Sequence, residues 1–136
     1  MIILSVDYGD ARTGIAVCDR MQILASPVTV INQNYEPKVI AQIKELAGKH
    51  GAERIVVGLP KNMDGSQGER AQKCRAFAQK LGEETGIETV LWDERLTTVS
   101  AHRALNVTNV TGKKRKDIVD AVSAVMILED YLASQK

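Results

Sequence analysis

The chain has 136 residues, 44% of them hydrophobic and 26% charged, a composition ordinary for one globular domain and unlike that of disordered, collagenous or membrane-embedded chains. At that length folding buries roughly 65–70% of the unfolded chain's surface, so a core forms without staples. Lys and Arg number 18 against 17 Asp and Glu, a net charge of +1, so affinity for nucleic acid would have to come from a local basic patch. Cys18 and Cys74 form neither a CxxC pair nor a metal-type cluster, and read as reduced thiols packed as small hydrophobes. The opening MIILSVDYGD has no basic region and reaches an aspartate at position 7, which does not fit a signal peptide. No run approaches the ~18 apolar residues of a membrane span, and the cytoplasm is the expected location.

Residues 2–6 are apolar or small and lead into the turn signal Asp7-Tyr8-Gly9-Asp10. Residues 13–19 and 23–31, rich in Val and Ile, read as two further strands joined by a turn. A helix is expected from Pro37, with Glu36 as its cap and Gly51 at its close. Its apolar residues Val39, Ile40, Ile43, Leu46 and Ala47 recur at helical spacing. Residues 54–59 (RIVVGL) read as a strand buried on both faces, 60–68 as a polar loop, and 67–84 as a helix with a stripe of Ala71, Cys74, Phe77, Ala78 and Leu81. A fifth strand is expected over 88–92, a short helix from 97 or 98 to 106, a polar connection over 107–116, and a last helix from 117 to about 133.

A three-stranded meander followed by helix, strand, helix, strand and helix is an α/β order with a mixed five-stranded sheet. No repeat or linker divides 1–136, so one domain is expected. Sites in open α/β sheets gather at the carboxyl ends of parallel strands. Asp7, the segment 58–65 and Asp93-Glu94 all fall at such ends.

A carboxylate ending a buried strand, as Asp7 does, is costly unless paired, hydrogen-bonded or bound to a cation. Gly9 beside it allows a tight turn or a close approach to a ligand. The alternative for Asp7 is a turn-forming Asp that caps its own loop. Alternation puts Asp93 and Glu94 on opposite sides, so only one faces a given site; a weak surface pair with Arg95 is the other reading of this segment. On the last helix Asp120 shares a stripe with Ala124, Ile127 and Tyr131, and Asp117 lies one turn earlier. Capping fits Asp117 better than Asp120.

Asp7, Glu94 and Asp120 together offer oxygen ligands with no His or Cys at ligand spacing, which suits Mg²⁺ or Mn²⁺ and not zinc. His50 reads as a dipole partner at a helix end, and His102 as solvated. Carboxylates around hard cations point to phosphate chemistry, because two metals clamp both oxygens of an in-line displacement. The segment 58–70 leads into a helix N-terminus able to bind phosphate, but it lacks P-loop spacing. Lys61 and Arg70 are candidates to hold a backbone phosphate, or else are solvated loop charges. Lys113, Lys114, Arg115 and Lys116 form the concentrated basic patch, a nucleic-acid footprint whose binding would fall with salt.

The segments VDYGDARTGIAV (6–17), VVGLPKNMDGSQGERA (56–71), DERLTT (93–98) and DIVDAVSAVMIL (117–128) resemble those of the YqgF/RuvX family of pre-16S ribosomal RNA nucleases and Holliday-junction-resolvase-like proteins. The resemblance spans essentially the whole chain. It implies an RNase H-like fold. Asp7 is similar to the family's first-strand acid, Glu94 to the acid after the later strand, and Asp120 to the acid of the last helix. Arg12 is similar to a positive position beside the first acid. Asp117 stands where a less specific, often basic residue is expected, and is a fourth metal ligand or a cap. The implied function is a Mg²⁺- or Mn²⁺-dependent nuclease that processes the 5′ end of pre-16S ribosomal RNA, with Lys61, Arg70, Arg95 and residues 113–116 positioning the backbone.

Two alternatives compete. A resolvase of branched DNA needs two symmetric nicks and therefore a homodimer. A non-catalytic ribosome-assembly factor would use the basic patch alone. An ATPase of the actin and sugar-kinase kind, suggested by the Asp-x-Gly start, needs two facing lobes where 136 residues supply one. With one Trp and four other aromatics, base-stacking platforms are few, so recognition is expected to rest on backbone and shape.

Overall fold

Alternation of buried side chains along the first strand sets the two faces of a central sheet. The computed structural model describes residues 1–60, 68–93 and 112–135, and for 112–121 the backbone alone. Its elements are β1 (Ile3–Asp7), β2 (Arg12–Cys18), β3 (Ala25–Asn32), α1 (Glu36–His50), β4 (Arg54–Leu59), α2 (Glu69–Thr85), β5 (Glu88–Asp93) and α3 (Gly112–Ser134). The strand order is β3-β2-β1-β4-β5. β1 pairs antiparallel with β2, and β2 with β3, while β1–β4 and β4–β5 are parallel. The expected meander and mixed five-stranded sheet are both present.

On one face Leu4, Val6, Ile15, Ile55 and Val57 pack against Val39 and Ile43 of α1 and Phe77 and Leu81 of α2. On the other, Ile3, Ala16, Cys18 and Val56 pack against Ala124, Ile127, Leu128 and Tyr131 of α3. β1 and β4 lie between these layers, which is why both read as almost continuous apolar runs. Cys18 and Cys74 are buried and not joined in a disulfide, as expected.

Three boundaries differ from the sequence reading in a way that changes what a residue does. Glu36 does not cap α1; the cap position is Tyr35, without a side-chain cap bond, and Pro37 lies in the first turn. The Glu36 carboxylate instead accepts hydrogen bonds from the Tyr8 hydroxyl (3.1 Å) and the Lys80 ammonium (2.9 Å). α3 begins at Gly112 rather than 117, so the basic run is helical and position 117 is interior, not a cap. Lys and Arg are good helix formers but carry no apolar period to read. Position 120 lies more than two turns inside, beyond the effective reach of the helix dipole. The expected loop over 61–67, the short helix to 106 and the connection as far as 111 lie outside the described residues.

β3 starts at Ala25, and Ile23 and Leu24 stand before it, 72% and 64% exposed. A turn claims them: their backbone N–H groups donate to Asp19 Oδ1 at 2.8 and 3.1 Å. These bonds, Leu24's first and then Ile23's, hold the Asp19 carboxyl below its ordinary range. A folded pKa lowered in this way gives stability that is present above the unfolded value, about 3.9, and lost as pH falls through the folded one. The Tm difference between wild type and Asp19→Asn is therefore expected to be constant above about pH 5 and to shrink at lower pH. Thermal melts of both proteins from pH 7 to 2 check this.

Candidate functional site

Because β1, β4 and β5 are parallel, their carboxyl ends meet at one edge, carrying Asp7, Leu59 and Asp93. Ile3 packs in the α3 layer, and the Ser5 hydroxyl donates to the Ala124 carbonyl of α3 at 2.7 Å. Alternation therefore places half-buried Asp7 on the same face. The helix runs opposite to the strand. Tyr131 accepts a hydrogen bond from Arg54 at the start of β4 (2.9 Å), while Ala124 lies over the middle of β1. Four residues of helix rise about 6 Å and two residues of strand about 6.6 Å. By these rises the backbone of position 120 is expected at about the height of Asp7.

The pairing adds a feature that residue types alone did not signal. Asp7 is paired with Gly14 on β2, and one step beyond the Val6–Val57 pair it lies beside Gly58 on β4. Both glycines are buried, and neither has positive φ. What they contribute is the lack of a side chain on either side of the carboxylate, as where a ligand or another backbone approaches closely. Two strand-interior glycines flanking the acid's row were a signal in the sequence, readable only once the register is known.

Asp93 pairs with Leu59, and alternation puts it with Leu91 on the α1–α2 face, away from Asp7. Arg12 opens β2, two residues beyond Gly14 and of the same parity, so it belongs to Asp7's face. Glu94, Lys61 and Arg95 lie outside the described residues, as do the side chains of Asp117, Asp120 and Lys113, Lys114, Arg115 and Lys116. The backbone of 113–116 occupies the first turns of α3.

Arg70, a candidate phosphate ligand, is engaged within the protein. Its Nη1 donates to Asp10 Oδ1 at 2.8 Å, and its Nη2 donates to the Tyr8 carbonyl. The guanidinium lies 5.6 Å from the centroid of the Tyr8 ring. That ring stacks on Phe77 at 3.8 Å and 4°. Burial first, then the negative charge of Glu36, push the Tyr8 hydroxyl up to about 12, against the opposing effect of Arg70. Tyr8 is thus a neutral donor at physiological pH, fixed between β1 and α1.

Among the described residues no group of three or more His, Cys, Asp or Glu side chains is gathered around a metal position. The described donor on the Asp7 side of the sheet edge is nevertheless a hard oxygen. Cys18 lies beside Ile3 at the other end of β1, Cys74 packs on the α1–α2 face, and His50 ends α1. A carboxylate oxygen is a donor suited to a hard divalent cation. Among the described residues no helix is long and apolar enough to cross a membrane.

Comparison with known proteins agrees with this architecture. A family model described as RuvX: Holliday junction resolvase matches residues 1–134. A protein of Agathobacter rectalis named "Putative pre-16S rRNA nuclease" is 39% identical over 135 residues, covering 97% of this chain and 94% of its own. One of Bacillus cytotoxicus with the same name is 41% identical over 137 residues, covering 99% and 100%. Among solved structures, RuvC of T. thermophilus in complex with Holliday junction substrate superposes with a TM-score of 0.63 at 14% identity, covering 99% and 96%. The fowlpox virus Holliday junction resolvase gives 0.61 at 12% identity, covering 100% of each chain. At such low identity the structural likeness speaks for the fold alone. The RNase H-like arrangement expected from the sequence is the one observed.

Proposed function

The chain belongs to the RuvX family, and from that premise we propose that it is a divalent-metal-dependent nuclease. It hydrolyses phosphodiester bonds in structured nucleic acid and matures the 5′ end of pre-16S ribosomal RNA in the cytoplasm. What supports this reading is Asp7 at the carboxyl end of β1, half-buried on the face that α3 covers, with Gly14 and Gly58 beside it. Asp7, Glu94 and Asp120 would hold Mg²⁺ or Mn²⁺, with Asp117 a fourth candidate. When bound, such cations supply Lewis-acid stabilisation of charge on the phosphate and the leaving oxygen.

The chain's own residues do the rest. β1, paired on both sides, holds the Asp7 carboxylate at a fixed height. Arg12, Lys61, Arg95 and Lys113, Lys114, Arg115 and Lys116 draw in and orient phosphates, so binding weakens as salt rises.

The test is cleavage of a 5′-extended small-subunit rRNA precursor and a four-way DNA junction, side by side, with Mg²⁺, Mn²⁺ or EDTA. The expected result is metal-dependent cutting of the RNA and none in EDTA. Cutting of the junction alone would transfer the assignment to a resolvase, for which a dimeric mass in solution is required. Binding of precursor without cutting under any metal would make the protein an assembly factor and overturn the enzyme reading.

A further inference from the structure

We propose that Arg70 is a positioning residue, which clamps the connection between β1 and β2 immediately after Asp7 and makes no contact with nucleic acid. The proposal rests on the reading of Asp7 as a metal-holding acid. The paired region of β1 and β2 ends at Asp7–Gly14. Residues 8–11 then reverse the chain so tightly that a Cβ at Gly9 would collide with the Arg12 carbonyl oxygen. That connection has one described backbone bond outside the strands, from Gln33 N–H to the Ala11 carbonyl at 3.1 Å. Arg70 adds two more ties, to the Asp10 carboxylate and the Tyr8 carbonyl, and covers the Tyr8 ring.

The anchor beneath these ties is firm. Tyr8 stacks on Phe77, fully buried two turns along α2 from Arg70, and its hydroxyl is held by Glu36. One rigid helix therefore holds Tyr8 from both ends of the same segment. A planar, forked cation presents separate, spaced N–H groups to a carboxylate and a carbonyl while lying against a ring, a fixed geometry that the compact ammonium of Lys does not reproduce. The partner charge of Asp10 at 2.8 Å also offsets the attraction Arg70 would have for a phosphate. Since Tyr8 and Asp7 share a peptide bond, slack in the clamp becomes misplacement of the acid.

The experiment measures kcat, KM and salt dependence of metal-activated cleavage for wild type, Arg70→Lys, Arg70→Ala and Asp10→Ala. Hydrogen exchange of the amides of residues 9–11 is followed in parallel. The clamp predicts that kcat falls about tenfold to a hundredfold in both Arg70 variants, the cost of roughly an ångström of misplacement, with KM and salt slope unchanged and exchange faster. Asp10→Ala is expected to move kcat and exchange the same way, and to add little in the Arg70→Ala background. Full kcat in Arg70→Lys would overturn the proposal. So would a raised KM with a salt slope reduced by about one, the mark of a lost phosphate contact.

Should Arg70→Ala fail to fold, Asp10→Ala decides, since Asp10 is 77% exposed at its side chain; unchanged kcat and exchange there reject the clamp. Asp7→Asn runs as a control. If it still cuts, the reading of Asp7 fails, while the exchange measurements still judge the clamp by themselves.

Discussion

Asp7→Asn is expected to abolish cleavage, by about a thousandfold or more, while the melting temperature stays within a few degrees of wild type. Asn has the shape of Asp and keeps one acceptor oxygen, the other becoming an NH2 donor, and strand pairing with Gly14 runs through the backbone, which the substitution leaves in place. What disappears is the charge. Several kcal/mol of electrostatic stabilisation in the transition state correspond to about three powers of ten in rate. Binding of uncleaved RNA, measured at fixed salt, is expected to stay close to wild type, because affinity comes mostly from Lys and Arg against phosphates. Retained cleavage in a clean Asp7→Asn preparation would remove Asp7 from the chemistry.

The largest stability effect is expected at Phe77. It is fully buried in the α1–α2 layer and carries the Tyr8 ring on its face. Phe77→Ala should cost about 3–5 kcal/mol, combining lost transfer energy with the cavity left behind. That is a large part of the 5–15 kcal/mol typical of a whole domain. Urea unfolding gives the value directly, with Phe77→Leu as a volume-retaining comparison. A loss below about 1 kcal/mol would mean that the site collapses around the gap, contrary to the close packing described.

Much of this architecture was legible in the sequence because its strands are short apolar runs bounded by turns. β4 was read at its observed bounds, and the carboxyl-end grouping of Asp7 followed from strand order alone. The α3 stripe through Ala124, Ile127 and Tyr131 was likewise present in the periodicity. The misses have physical causes. The first turns of α3 are charged and carry no period. Ile23 and Leu24 look like strand but serve a turn closed by Asp19. The sequence offered Arg70 as a phosphate ligand or a solvated charge and gave no sign of its ties to Tyr8 and Asp10, which lie about sixty residues away in sequence and are adjacent only in the fold. Glu36 misled for the same reason, since Tyr8 and Lys80 claim its carboxylate.

One polar contact buried in the α3 layer governs alignment. Apolar contact is non-directional and forgiving of sliding, so the oily seam between β1 and α3 would by itself fix distance better than longitudinal position. The Ser5 hydroxyl bonds to the Ala124 carbonyl across 119 residues of sequence, and such a bond survives only within narrow limits of length and angle. It acts as a detent, latching the helix at one notch along the strand. Two residues beyond Ser5 stands Asp7, and four residues before Ala124 stands Asp120. Together with the Arg54–Tyr131 bond farther along the helix, this hydroxyl fixes where α3 sits along the sheet, separate from the greasy surface that supplies its cohesion.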